Sequence, residues 1–182
     1  MRRLLILSLL LPAVAACGGN DTSSSADKST ATATATATPT PTPTAAAGST
    51  AGVKVTGKAG EKPEIQVASG ATPPAKLVKK DVRTGHGRAA KAGDMVSVQY
   101  DGVLYKDGSQ FDASWDRGEA FSFTLGQGMV IPGWDQGVAG MKVGGRRLLV
   151  IPPDLAYGPS GSGPIGPNET LVFVVDLEKV SS

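Results

Sequence analysis

Gly126-Gln-Gly-Met-Val-Ile-Pro-Gly-Trp134 is the stretch on which the fold turns. It reads as a glycine-flexed loop entering the first turn of a short helix. Proline suits the first helical position, where its missing N–H would have had no partner. Pro132 therefore sets the helix start, and the helix is expected over residues 132–139. Trp134 then lies in the first turn, behind Val130-Ile131 and ahead of the turn chemistry of Asp135-Gln-Gly137. A tryptophan there is either plain core or the apolar floor of a pocket. The stretch alone favours core packing, and the flanking segments decide.

Upstream, Met95-Val-Ser-Val-Gln-Tyr-Asp-Gly-Val-Leu-Tyr105 alternates, with Val96, Val98 and Tyr100 on one face of a strand. Asp107-Gly108 marks a hairpin turn, and Gln110-Phe-Asp-Ala113 returns from it. Residues 114–119 read as a polar loop, and Ala120-Phe-Ser-Phe-Thr-Leu125 as a strand with Phe121 and Phe123 on one face. Downstream, residues 146–151 form a strand that Pro152-Pro153 stops, with Arg146-Arg147 read as its solvated edge. Residues 157–168 are a Gly/Pro/Ser loop. The last strand, Leu171-Val-Phe-Val-Val-Asp-Leu177, puts Leu171, Phe173, Val175 and Leu177 on one face. Nearer the N-terminus, Glu64-Ile-Gln-Val67 reads as an accessory strand, Leu77-Val78 opens another, and Thr84-Gly-His-Gly87 is a turn. A sheet with one apolar face needs its single helix as cover. The expected fold is α+β: a curved antiparallel β-sheet wrapped around one short α-helix, with a pocket between them and Trp134 at its base.

The chain has 182 residues, a formal net charge of +2, one cysteine and one histidine. That length holds one ordinary domain plus tails. The near-neutral balance argues against nucleic acid as a partner. A lone cysteine forms no internal disulfide, and with a single histidine it makes no Cys/His metal site. His86, between two glycines, reads as a solvated turn residue. Gly126-Gln-Gly128 and Gly144-Gly145 lack the strand, long helix and lysine of a phosphate loop. Asp112 with Asp116 or Asp154 would be a hydrolase carboxylate pair only against the more ordinary surface and capping roles.

Residues 1–16 read as a signal peptide: Arg2-Arg3, then an apolar run too short to span a bilayer. The run ends in Val14-Ala-Ala-Cys17, which resembles the lipobox of bacterial lipoproteins, where cleavage leaves a lipid-modified N-terminal cysteine. The competing reading is an ordinary secretory signal with an incidental cysteine. Cys17 as lipidation site places the mature chain on the extracytoplasmic face of a bacterial cell membrane, anchored and not embedded. Residues 17–61 read as a disordered Ala/Thr/Pro-rich linker, with too little apolar surface to offset chain entropy. A coil of about 40 residues spans on the order of 35 Å, more where proline stiffens it. Residues 62–182 are the expected folded domain.

Seven segments, among them Val98-Gln-Tyr-Asp-Gly102, Gln110-Phe-Asp-Ala-Ser114, Val130-Ile-Pro-Gly-Trp134, Ile151-Pro-Pro-Asp-Leu-Ala-Tyr-Gly158 and Pro167-Asn-Glu-Thr-Leu-Val-Phe173, follow one another in an order that resembles the FKBP-type peptidyl-prolyl cis-trans isomerases. The match runs over roughly residues 77–180. It implies a prolyl pocket needing no cofactor and no metal. Trp134 would lie under the pyrrolidine ring. Tyr100, Phe121, Val130, Ile131 and Phe173 would be walls, with Ile165 a further substrate contact. Phe111 and Asp112 match the family's rim pair, and Arg117 a basic partner for Asp112. Tyr157 matches the tyrosine whose hydroxyl meets a substrate carbonyl, and the Ile131 N–H would donate to the bound chain. The resemblance implies proline-containing polypeptide clients and macrolide immunosuppressant-type inhibitors; the N-terminal signal makes those clients exported proteins, and a monomer is expected. The alternative function is a non-catalytic chaperone or peptide-binding module using the same pocket.

The sequence departs from the family pattern in the loop before Pro167, which is one residue shorter and reads Ile165-Gly-Pro-Asn for the usual Ile-Pro-Pro-Asn. Ser162 stands near the usual flap aromatic or histidine, and Met129 where others carry an acid. These changes bear on substrate preference more than on activity.

Overall fold

β5 (Met95–Leu104) is the strand through which the domain is assembled, and its pairing explains where the cavity opens. The computed structural model describes residues 49–182. The strands before β5 are β1 (Ser49–Thr50), β2 (Val53–Thr56), β3 (Glu64–Val67) and β4 (Val78–Arg83). After it come β6 (Gln110–Ala113), helix α1 (Ser114–Arg117), β7 (Phe121–Thr124), helix α2 (Pro132–Val138), β8 (Arg146–Ile151) and β9 (Leu171–Ser181). Short 3-10 turns lie at Pro153–Leu155 and Gly158–Ser160.

Along one edge β5 pairs antiparallel with β9 over its whole length, from Met95 opposite Ser181 to Leu104 opposite Leu171. Its other edge is shared. β7 takes the first half, with Val98 opposite Phe121, and β6 the second, with Gly102 opposite Asp112. Between those two partners the chain leaves the sheet and makes α1, which sets β6 and α1 over one end of the sheet as a rim. The path of the six-stranded sheet is β4-β8-β9-β5-β6, with β7 beside β5.

Period-2 alternation puts Val96, Val98, Tyr100, Phe173 and Val175 on the face that packs against Trp134 and Val138 of α2. The helix lies unusually close to β8. A Cβ on Gly133 would come within 2.4 Å of Ile151 Cγ2, and one on Gly137 within 2.7 Å of Leu149 Cδ1. Two hydrogen side chains one turn apart thus let the backbone of α2 rest on the sheet.

The opposite face is covered too. Val103, Leu148, Val150, Val172 and Val174 pack against Val53 and Val55 of β2, together with Tyr105, in a second core. β1, β2 and β3 form their own antiparallel sheet, with Val53 opposite Val67 and Val55 opposite Ile65. The Tyr105 hydroxyl, donating towards the Ala51 and Thr72 carbonyls at 2.8 and 3.1 Å, pins this small sheet to the end of β5. Burying each of the two valines is worth about 1.5–3 kcal/mol.

Four expectations are corrected. The linker does not run to residue 61, because β1 and β2 already form at residues 49–56, held by the valines they bury. The helix is not the only cover of the sheet. Residues 114–119 are not all loop: α1 takes 114–117, closed by Gly118 in the left-handed region with φ 70°. Arg146-Arg147 is not a solvated edge. Arg146 is 1% exposed and bonds Asp176, its cross-strand neighbour, through Nε and Nη2 at 2.6 and 2.7 Å. Arg147 pairs with Asp81 and donates to the Gly137 carbonyl. The proposed signal peptide, Cys17 and the linker through residue 48 lie outside the described residues.

Candidate functional site

The N-terminal end of α2 and the concave face of the sheet leave a cavity of about 460 Å³ between them. Its floor is Trp134, which Pro132 at the helix start places in the first turn. The indole is 4% exposed. Three rings stand edge-on to it: Tyr100 at 5.1 Å and 85°, Phe173 at 5.2 Å and 88°, and Phe121 at 6.0 Å and 79° between centroids. Such T-shaped contacts set ring edges against the π face and fix the indole plane. Phe111 stands edge-on to Phe173 at 5.4 Å and 87° and extends the wall to the rim. Trp134 Nε1 has no hydrogen-bond partner among the described residues and is buried, so the indole meets the cavity as an apolar surface.

Polar groups are few and mutually held. The Tyr100 hydroxyl donates to Asp112 Oδ2, Arg117 Nη1 donates to Asp112 Oδ1, and Arg117 Nη2 donates to the Tyr100 oxygen at 2.8 Å. The guanidinium also lies 5.5 Å from the Tyr100 ring centroid. Asp112 thus faces the cavity with each oxygen already engaged, in a fixed orientation. Burial, then the bond to Asp112, pushes the Tyr100 phenol up to about 12, so it remains a neutral donor across the physiological range. Its backbone is held as well, the Tyr100 N–H donating to Ser114 Oγ at 2.8 Å. Asp112 is the one charged side chain lining the cavity among the described residues.

All ten proposed pocket residues border this one cavity: Tyr100, Phe111, Asp112, Phe121, Val130, Ile131, Trp134, Tyr157, Ile165 and Phe173. Met129, Ser162, Gly163 and Pro164 complete the lining. Met129 is 64% exposed and Tyr157 39%, so both meet solvent as well as the cavity. The Ser162–Ile165 turn, closed by reciprocal 2.9 Å backbone bonds, presents Ile165 to the cavity despite the shortened loop. Sequence reasoning missed Asp135. In sequence it reads as turn chemistry, yet its carboxylate accepts the Gly126 and Gly128 N–H groups in the loop leading to Ile131. An acid in the first turn of a helix that has no side-chain cap was the available signal.

The arrangement can enclose a small apolar ring with its flanking amides. It offers neither an activated nucleophile nor a pair of free carboxylates.

Comparison with known proteins agrees with this geometry. Residues 86–178 match the family model described as FKBP-type peptidyl-prolyl cis-trans isomerase. The FK506-binding protein of Streptomyces anulatus is 57% identical over 122 residues, 66% of this chain and 98% of that protein. A probable FK506-binding protein of Corynebacterium glutamicum is 49% identical over 117 residues, 64% of this chain and 97% of its own length. Among solved structures, AtFKBP13 is similar with a TM-score of 0.55 at 36% identity, covering 60% of this chain and 96% of that one. FkpA from Escherichia coli gives a TM-score of 0.54 at 50% identity, covering 58% and 48%.

Proposed function

The chain belongs to the FKBP-type peptidyl-prolyl cis-trans isomerases, and from that premise we propose how its cavity lowers the barrier to turning an X–Pro bond. The observation that carries the mechanism is the cavity itself, floored by Trp134, walled by aromatic rings and edged by one oriented carboxylate.

An X–Pro amide crosses a barrier of about 18–20 kcal/mol and relaxes uncatalysed over tens to hundreds of seconds. The barrier is amide resonance. The planar amide is the more polar form, and water stabilises it. The half-turned form has an amine-like nitrogen and a ketone-like carbonyl, with less need of solvent. Moving the bond into an apolar cavity therefore raises the planar states relative to the twisted one. An acceleration of around 10⁵-fold asks for about 7 kcal/mol of differential binding.

In this mechanism Trp134 supports the pyrrolidine ring, while Tyr100, Phe121, Val130, Ile131, Ile165 and Phe173 enclose it. The Ile131 N–H and the Tyr157 hydroxyl donate to carbonyls of the bound chain and fix its flanks while the amide turns. Asp112, held by Tyr100 and Arg117, acts through its field at the rim, beside Phe111. No residue abstracts a proton.

The clients are proline-containing segments of exported proteins, reached from a lipid anchor at Cys17 on the extracytoplasmic face of the cell membrane. Residues 17–48 serve as the tether, and the domain works as a monomer. The Cys17 proposal is supported by the Val14-Ala-Ala-Cys17 pattern. Detergent-phase partitioning of the expressed chain against Cys17→Ser tests it, equal partitioning counting against an anchor. An FK506-type macrolide should occupy the same cavity and change the Trp134 fluorescence on titration.

The mechanism is tested with a proline-limited peptide assay on wild type, Trp134→Ala, Asp112→Val and Tyr157→Phe. Loss in the first two and a smaller loss in the third is the expected order. Unchanged kcat/KM in all three variants would overturn the assignment of this cavity.

A further inference from the structure

We infer that Lys62 is a positioning residue of the isomerase site, acting from the β1–β3 sheet on the rim segment that carries Phe111, Asp112 and Arg117. The inference rests on the assignment of the cavity as that site, and it makes the sheet preceding the family match a working part of the enzyme.

Lys62 lies in the loop between β2 and β3. Its Nζ donates to Gln110 Oε1 at 2.8 Å and to Asp116 Oδ1 at 2.6 Å. Gln110 Nε2 donates to the other Asp116 oxygen at 2.7 Å, which closes a three-residue ring of polar contacts. The two rim residues it grips are placed to matter. Gln110 immediately precedes Phe111-Asp112, and Asp116 immediately precedes Arg117. Lys62 therefore ties together, from outside, the two ends of the segment whose inner side chains form the Asp112–Arg117 pair.

A lysine on a loose loop could not position anything, and this loop is fixed from beneath. The buried Arg146, doubly bonded to Asp176, donates through Nη2 to the Glu61 carbonyl at 2.6 Å. The neighbour of Lys62 is thus anchored to the central strands. Asp101 supplies a further reason for a cation here. It follows Tyr100 in β5, is 4% exposed, and its Oδ1 has no partner among the described residues. Burial pushes its carboxyl up, the Lys62 charge opposes that, and Asp116 adds to it. The ammonium thus pairs with the acid on the rim and also favours the charged form of the one on the strand.

An exposed ion pair is weak and salt-sensitive, so the expected effect is small and screened. The experiment uses the full chain in a proline-limited peptide assay, at low and high salt, well below the unfolding temperature. The variants are Lys62→Glu, Lys62→Met, Asp116→Lys and the swap Lys62→Glu/Asp116→Lys, with Trp134→Ala in parallel. Lys62→Glu should lower kcat/KM about 2- to 5-fold at low salt. The deficit should shrink at high salt, and the swap should recover most of it. Lys62→Met, which keeps the apolar stem, should fall between wild type and Lys62→Glu. A purely structural staple would lower Tm and leave kcat/KM of the folded protein unmoved. Unchanged activity in Lys62→Glu beside an impaired Trp134→Ala overturns the inference and leaves the cavity assignment standing. Unimpaired Trp134→Ala sinks both. A loss that neither salt nor the swap relieves also overturns it, since the charge pair would not be the carrier.

Discussion

Asp135 holds Gly126 in the loop ahead of α2, its Oδ1 accepting the Gly126 N–H at 2.8 Å while Oδ2 takes the Gly128 N–H at 3.0 Å. One carboxylate from the first turn of α2 thereby fixes the loop that delivers Met129, Val130 and Ile131 to the cavity. Asp135→Ala should cost about 1 kcal/mol in urea unfolding, in the range of lost helix-end acceptors. It should also raise KM for peptide several-fold with a smaller change in kcat, because the loop positions substrate.

Trp134 contributes to stability as well as to the cavity. Removing the indole should destabilise the domain by about 3–5 kcal/mol. Trp134→Phe keeps an aromatic floor, so it should lose less than half of that and retain measurable turnover. Paired denaturation and peptide assays on the two variants check this ranking.

The approach of α2 to β8 predicts damage from very small changes. A methyl at position 133 would meet Ile151 Cγ2 at 2.4 Å, and one at 137 would meet Leu149 Cδ1 at 2.7 Å. Overpacking of this kind costs roughly 1–3 kcal/mol. Gly133→Ala should also lower kcat/KM, since lifting the helix moves Trp134. Tm and turnover should therefore fall together.

Tyr100 makes the domain sensitive to alkali. The folded state holds this phenolic proton more tightly than the unfolded chain, whose tyrosine titrates near 10.0. Its contribution is complete below that value and is lost as the pH rises from there through about 12. Unfolding midpoints measured at stepped alkaline pH should fall over this window, and Tyr100→Phe should flatten that part of the decline.

Deleting residues 1–77 removes β1–β3 and uncovers Val103, Leu148, Val150, Val172 and Val174. The truncated chain should lose about 3 kcal/mol or more and bind a hydrophobic dye that the full chain does not. Equal Tm for the two would show that the second core contributes nothing.

Much of this architecture was legible because alternation reports one-sided burial. Val96, Val98 and Tyr100, and likewise Leu171, Phe173 and Val175, fell on the α2 face as their spacing implies. The same strands hid their second face. Val172 and Val174 completed an unbroken apolar run, which signals burial on both sides, but the partner was hard to see. Val53 and Val55 are two apolar residues in a Gly/Lys/Thr stretch that continues the composition of the linker. Arg146 misled because a charge in a strand is usually solvated. Its partner Asp176 is thirty residues away in sequence yet directly opposite in register. The cavity residues were legible through their motifs, whereas Lys62 acts through contacts that no local pattern encodes and Asp135 offered only its place in the first turn of α2.

β9 is last of the strands in chain order, yet it lies between β8 and β5 at the middle of the sheet. A chain threaded out of a ribosome or a translocation pore, N-terminus first, therefore cannot close this sheet until its final strand has cleared the exit. Until then the cavity lacks its Phe173 wall, so an isomerase of this topology has no complete site before its own last strand is in place.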